Sequence, residues 1–282
     1  MVAPLAPATS LTPPAAALAL VPGLEQGGAP LRVQRLSGGH VNDTWRIDTP
    51  SGRFTLRLDG PLAMRPGVER GRELRLHAAA AAAGMAPGLV RAAPEAGALV
   101  CEFLPGRTWT DEDFHDAAAL GRLGERLQAL HGLAVPVQPL QRFDPCALTL
   151  GYLEQGRVAG VPLAGADAVL PQLRAAVASI DAAAVAPCIV HGDLPYGNVL
   201  EAARLWLLDW EYAQISDPIY DVACIVAHLP LTGALQRQLL AASGLGAPED
   251  AGRLPAAAFV YRVLTWAWHL ARAERCAAPS FG

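Results

Sequence analysis

Two short polar motifs constrain this chain more than anything else in it. The first is His191-Gly192-Asp193-Leu194-Pro195-Tyr196-Gly197-Asn198. The second, Asp209-Trp210-Glu211, closes the hydrophobic run from Leu205 to Leu208. Asp193 and Asn198 stand five residues apart, and the run before Asp209 is short enough to be one arm of a hairpin. A loop and strand end carrying two aspartates and an asparagine supply the set that phosphoryl transfer needs. One carboxylate positions and deprotonates the attacking hydroxyl, while an asparagine and a second carboxylate hold magnesium on the nucleotide phosphates. A turn whose Asp and Asn merely satisfy backbone amides would account for one such motif. Two motifs, in this order and spacing, point to the chemistry.

The length of 282 residues accommodates one large domain or two lobes. Apolar residues make up 52 % of the chain, with much of the excess in alanine, and runs such as Ala78 to Ala83 are far too short to span a bilayer. No basic residue precedes Arg32, and prolines interrupt the apolar start, which argues against a secretory signal. A net charge of −4 gives no reason to expect a nucleic acid partner. Histidine aside, every basic side chain is arginine; the sequence holds no lysine. The five cysteines are scattered without a CxxC pair, so neither a disulfide framework nor a zinc site is expected, and a cytoplasmic setting is.

Residues 1–30 read as a flexible N-terminus with a short helix, starting at Thr12-Pro13 and stopped by Pro22-Gly23. Alternating segments at Leu31 to Leu36, Val41 to Asp48 and Arg53 to Asp59 predict antiparallel strands, and Leu89 to Ala92 and Ala98 to Phe103 predict two more. Between them, Val68 to Ala83 has helical composition. Residues 31–104 thus predict a lobe with a five-stranded antiparallel sheet and one long helix, and Pro105-Gly106 a hinge. Residues 105–282 predict a mainly helical lobe. In it, Asp116 to Leu130, Pro218 to Leu229 and Pro255 to Arg275 are the clearest helices, residues 144–187 mix helix with loops, and a strand pair frames the two motifs. The fold class is α+β.

His-Gly-Asp with an asparagine five residues after the aspartate, followed by Asp-Trp-Glu, resembles the aminoglycoside phosphotransferase and choline kinase superfamily, whose two-lobed fold is that of protein kinases. The resemblance implies that Asp193 is the catalytic base, that Asn198 and Asp209 are the magnesium ligands, and that His191 braces the loop. It also implies ATP as phosphate donor. Gly38-Gly39 with Asn42 matches the family's Gly-Gly-x-x-Asn phosphate turn, where glycines let backbone amides approach phosphate oxygens. Arg57 stands where kinases carry a phosphate-binding lysine, and arginine at this point leans toward the choline kinase branch. Glu73 is the preferred ion-pair partner of Arg57, with Glu69, four residues earlier, as the competitor. In Asp217-Pro218-Ile219-Tyr220-Asp221, Asp221 is expected to support the catalytic loop and Asp217 to cap the next helix.

The Asp-Trp-Glu-Tyr form and the aromatic segment Tyr261 to His269 resemble choline and ethanolamine kinases and bacterial thiamine kinases. Aromatic faces attract quaternary ammonium groups. Trp266 or Trp268, with Glu211 or Asp217 as a fixed negative charge, is therefore expected to contact a cationic hydroxyl acceptor; core packing is the competing account of the tryptophans. The expected activity is transfer of the ATP γ-phosphate to a choline- or ethanolamine-type amino alcohol. A thiamine kinase, an aminoglycoside or amino-sugar phosphotransferase and a nucleotide-binding pseudokinase are the alternatives.

Overall fold

The computed structural model describes residues 12–36, 41–60, 65–136, 142–194, 197–274 and 276–280. The short helix α1 (Ala15–Leu18) starts later than expected, because Pro14 rather than Thr12 takes the capping position. The strands β1 (Arg32–Arg35), β2 (Asp43–Thr49) and β3 (Gly52–Leu58) follow. Helix α2 (Arg70–Ala82) then leads to β4 (Leu89–Ala93) and β5 (Ala98–Glu102). These strands form one five-stranded antiparallel sheet in the order β1-β2-β3-β5-β4.

Strand periodicity sets the faces of this sheet. Trp45 and Ile47 on β2, with Phe54, Leu56 and Leu58 on β3, form a core with Ala17, Val21 and Leu24 from the N-terminal segment. Arg57 lies between Leu56 and Leu58, so the alternation sends its side chain to the opposite face, where it meets α2. Gly60 passes so close to the chain just before β2 that a Cβ on it would lie 1.9 Å from the Val41 carbonyl oxygen, a backbone contact that no side chain can relieve.

Beyond β5 the chain crosses to β6 (Arg107–Thr108), then α3 (Asp111–His115), α4 (Ala117–His131), α5 (Pro145–Val158) and α6 (Ala166–Asp181). Strand β7 (Cys188–Val190) precedes the hairpin β8 (Val199–Glu201) and β9 (Leu205–Leu207). After β10 (Gln214–Ser216) come α7 (Ile219–His228), α8 (Gly233–Ala242) and α9 (Pro248–Ala271). The hairpin pairs with β6, and β7 pairs antiparallel with β10. Helix α8 had no counterpart among the sequence expectations. Helix α9 begins at Pro248, seven residues before the expected Pro255, which lies inside it. Proline at the first helical position lacks only an N–H that would go unpaired anyway. Among the described residues, no helix is long and apolar enough to cross a membrane.

A larger core joins Leu76 and Ala80 of α2 to the helices that follow, so the helix is shared between the sheet and the helical part. His77 of α2 is 5 % exposed, stacks on Trp210 with centroids 6.1 Å apart, and donates from Nε2 to the Pro87 carbonyl oxygen at 2.8 Å. Burial holds its pKa below the ordinary histidine value. A histidine with a depressed folded-state pKa favours folding above its unfolded pKa of about 6.5, and that advantage is lost as pH falls below it. Relative to a His77→Gln variant, wild-type unfolding free energy is therefore expected to fall more steeply below about pH 6.5, by up to about 1.4 kcal/mol per pH unit. Urea unfolding of both proteins across this range checks it; parallel pH curves contradict it.

Candidate active site

Strand β7, buried along its length, delivers His191-Gly192-Asp193 to the interior. The loop is held from below by Asp221, fully buried in the first turn of α7. Its carboxylate accepts the backbone N–H groups of His191 at 3.1 Å and Gly192 at 2.8 Å, and its Oδ2 lies 2.9 Å from His131 Nε2 of α4. The helix N-terminus favours that charge. Gly192 adopts a φ of 77°, and a Cβ there would lie 2.8 Å from the Tyr212 carbonyl oxygen, so this position requires glycine.

His191 ties the two motifs together. Its Nε2–H donates to the Leu208 carbonyl oxygen at 2.8 Å, and its Nδ1 accepts the Asp193 N–H at 3.3 Å. Burial presses its pKa down to about 4, which keeps this one tautomer neutral. The ring also packs edge-on against Trp210, whose indole N–H donates to the Leu207 carbonyl oxygen.

The hairpin does the rest. Leu208 N–H donates to the Asn198 carbonyl oxygen at 2.8 Å, which sets Asn198 beside Asp209 at the open end of β8 and β9. Asn198 Nδ2 donates to the Asp193 carbonyl oxygen at 2.7 Å and to its Oδ2 at 3.1 Å. This commits the amide nitrogen and turns the carbonyl oxygen of the side chain away from Asp193. Asp209 takes a left-handed backbone, φ 58°. Such a conformation costs a non-glycine residue about 1–3 kcal/mol and is found where function needs it. Asp193, Asn198 and Asp209 line one cavity of about 340 Å³.

The electrostatics of this cavity are unbalanced. Burial, then the Asp209 and Glu211 carboxylates, push Asp193 up to about 8. Burial and Glu211 likewise push Asp209 upward against the pull of Arg57, although 34 % of the Asp209 side chain stays open to the cleft. Two hard oxygen donors beside crowded carboxylates are what a magnesium ion takes. Among the described residues no three acidic, cysteine or histidine side chains form a metal cage. Magnesium does not need one, since it is held through one or two carboxylates, water and substrate phosphates. The residues therefore fit magnesium.

A chain of alternating charges surrounds the cavity. Arg57 reaches Glu73 at 2.6 Å and Asp209 at 3.1 Å. Burial opposes its charge, but Glu73 and Asp209 outweigh that and raise its pKa above the ordinary arginine value. Glu73, 1 % exposed, also pairs with Arg70 at 2.6 Å, and Arg70 is held by Asp59 and reaches Glu211 at 3.3 Å. Burial alone would raise Glu73; Arg57 and Arg70 together bring it below the ordinary value. Glu69 precedes α2 in extended conformation and lies 3.6 Å from the exposed Arg75, so the helix itself selects Glu73 as the Arg57 partner.

Several expected residues sit differently. Glu211 is not a free negative charge: Arg65 binds its Oε1, and Asn42 donates to its Oε2 at 2.8 Å beside Arg70. Asn42 lines the cavity through this contact, while Gly38 and Gly39 lie outside the described residues. Asp217 is buried too. Its Oδ1 accepts the Ile219 N–H at 2.9 Å, as a capping residue should, and Arg253 holds its Oδ2 at 2.5 Å. Trp266 belongs to the helical core, 3 % exposed, and is absent from the cavity lining. Helical geometry turns it inward, two residues from Trp268, which does line the cavity. The Arg272 guanidinium lies over the Trp268 ring, 4.5 Å from its centroid.

The sequence reasoning missed Arg65. It reaches from the segment between β3 and α2 to Glu211 and donates to the Tyr212 hydroxyl at 2.5 Å. The adjoining Pro66 and Gly67 pack on Gly151 and Leu148 of α5, and Arg65 and Leu148 line the cavity. Pro66-Gly67 was the available signal, but it marks only a turn. Phe143, Tyr152, Tyr212 and Tyr261 complete an aromatic wall.

Fold and site together define a phosphotransferase. Residues 32–259 match the phosphotransferase enzyme family known as APH, and the chain belongs to that family. Among solved structures, it is similar to a choline/ethanolamine kinase family protein from Mesorhizobium loti. The identity is 27 %, the TM-score 0.73, and the match covers 92 % of this chain and 85 % of that one. The choline kinase LicA of Streptococcus pneumoniae has the same fold at 18 % identity and a TM-score of 0.73, over 89 % of this chain and 88 % of that one. A segment of 46 residues is 46 % identical to the protein LicA of Haemophilus influenzae strain Rd, covering 15 % of this chain and 16 % of that protein's length.

Proposed function

We propose that this chain transfers the γ-phosphate of ATP to the hydroxyl of a small amino alcohol of the choline or ethanolamine type. The observation that carries the reading is the convergence of Asp193, Asn198 and Asp209 on one cavity. The family membership supports the reaction class, and the likeness to a choline/ethanolamine kinase family protein supports the acceptor class.

Asp193 orients the acceptor hydroxyl and takes its proton through a carboxylate oxygen. Asn198 and Asp209 would hold magnesium, which would neutralise charge on the nucleotide phosphates. Arg57, braced by Glu73, contacts the phosphates. His191 and Asp221 keep the loop in register with Asp209. Most of the rate then comes from alignment and charge neutralisation. The aromatic wall attracts a cationic head group, by about 2 kcal/mol where water is excluded. Since Glu211 is already neutralised by arginines, the loop-end carboxylates supply the negative field that such a group meets.

A cavity of about 340 Å³ also lies within the range of roughly 300–1,000 Å³ typical of drug-sized ligands, which favours thiamine as a second candidate acceptor. Phosphate transfer from ATP in the presence of magnesium, assayed with choline, ethanolamine, thiamine, amino sugars and aminoglycosides, tests the proposal. Nucleotide binding without transfer to any alcohol overturns it.

The metal assignment has its own test. Asp209→Asn removes one anionic ligand and is expected to weaken magnesium-dependent nucleotide binding by about tenfold or more, since 1.4 kcal/mol is already tenfold. Titration calorimetry with and without magnesium reads this directly. An unchanged magnesium dependence contradicts the role.

A further inference from the structure

Two helices, α7 and α9, form the floor of the cavity. On α7, Cys224 Sγ donates to the Gly192 carbonyl oxygen at 3.6 Å, and on α9 the Tyr261 hydroxyl donates to the same oxygen at 3.3 Å. Four residues further along each helix, His228 Nε2 and Thr265 Oγ1 meet at 3.0 Å. The helices therefore run in the same direction away from the catalytic loop, and one four-residue step is about 6 Å. His228 and Thr265 both line the cavity, as do Trp268 and His269 beyond them.

The hydrogen bonds at this station have a fixed polarity. His228 Nδ1 lies 2.7 Å from the Cys224 carbonyl oxygen, which only accepts, so Nδ1 carries the proton. Burial, with His269 nearby, favours the neutral ring. Nε2 is then an acceptor, and the Thr265 hydroxyl donates to it. The proton of Thr265 is spent there, and its oxygen can only accept from the cavity side.

The carboxylates that line the cavity, Asp193, Asp209 and Glu211, all belong to the loop end. At the far end the Trp268 ring already carries the Arg272 guanidinium, and His269 pairs with Glu274 at 2.6 Å. This end lacks the unpaired carboxylate, among the described residues, that a quaternary ammonium would seek.

We propose that Thr265 Oγ1 is a second recognition point for the phosphate acceptor, taking a hydrogen bond from an N–H or O–H of the substrate one helical step further from the catalytic loop than the Tyr261 contact to Gly192. The inference rests on the kinase reading and narrows its substrate class. The acceptor is an amino alcohol or diol with a second donor besides the reacting hydroxyl, and a fully methylated nitrogen at that place is disfavoured. A site built to accept a hydrogen bond rejects the analogue that cannot give one.

The test uses the intact protein, ATP and magnesium with a series of unbranched amino alcohols from 2-aminoethanol to 6-aminohexan-1-ol, each beside its trimethylammonium counterpart. In wild type, kcat/KM for the best amine of the series is expected to fall about tenfold to hundredfold on trimethylation. Thr265→Val, close in shape but without the hydroxyl, is expected to bring the amine-to-trimethylammonium ratio near one, mainly through KM. Thr265→Ser is expected to retain the preference, and thermal melts of both variants report whether the fold is kept. Wild-type turnover indifferent to methylation, or a preference that survives in Thr265→Val, overturns the inference and leaves the kinase reading standing. Absence of turnover with every alcohol overturns both.

Discussion

Asp193→Asn is expected to lower kcat by about 10²–10⁴, the usual contribution of a positioned general base, with nucleotide affinity nearly unchanged. Asparagine keeps the shape of the side chain, and the Asn198 contact to the backbone carbonyl of residue 193 does not depend on the carboxylate. The groups proposed to face the phosphates, Arg57 and Asp209, are untouched. The variant also has a second signature. Burial and two neighbouring carboxylates raise the Asp193 pKa to about 8. A carboxyl with a raised folded-state pKa lends stability that is present at acid pH and lost as pH rises. Removing its charge is therefore expected to stabilise the free protein above neutral pH. Steady-state kinetics, nucleotide titration and thermal melts at pH 8 separate these effects. Near-normal turnover shows that Asp193 is not the base.

Glu73→Gln is expected to destabilise the protein by about 3 kcal/mol, the low end of the cost of breaking a buried ion pair from one side. Glu73 is 1 % exposed and faces two guanidinium groups at 2.6 Å each. Glutamine fills the same volume without the charge, so the loss is electrostatic rather than a cavity. The effect stays at the low end because each arginine keeps a second carboxylate, Asp209 for Arg57 and Asp59 for Arg70. For a chain of this size the fall in Tm is expected to be on the order of 10 °C. The KM for ATP should rise as well, because Arg57 loses the partner that holds it. A melting temperature within about a degree of wild type rejects the account.

The parts of the structure legible in the sequence are those where one local rule decides. Alternation along Trp45, Ile47, Phe54, Leu56 and Leu58 gave the strands and, by exclusion, the face of Arg57. The spacing from Asp193 to Asn198 and on to Asp209 defined a loop and a hairpin, and hydrogen bonding draws their ends together. The sequence favoured Glu73 but kept Glu69 as a competitor, because they are four residues apart. Only the start of α2 at Arg70 leaves Glu69 extended and outside the helix. Trp266 and Trp268 were equivalent as aromatic residues, and the rotation of α9 against the core distinguishes them. The neutralisation of Glu211 rests on Arg65, which is 146 residues away along the chain. No periodicity encodes such a meeting.

The Arg57–Glu73 pair has a chemical consequence. Acylating reagents and aldehydes that modify ATP sites need an amine that can shed its proton and offer a lone pair. Here the cation proposed to face the phosphates is a guanidinium held protonated by two acids, and the sequence offers no lysine elsewhere. The side chains of this nucleotide cleft should be silent to amine-directed covalent probes, and inhibitors for it must bind without that anchor.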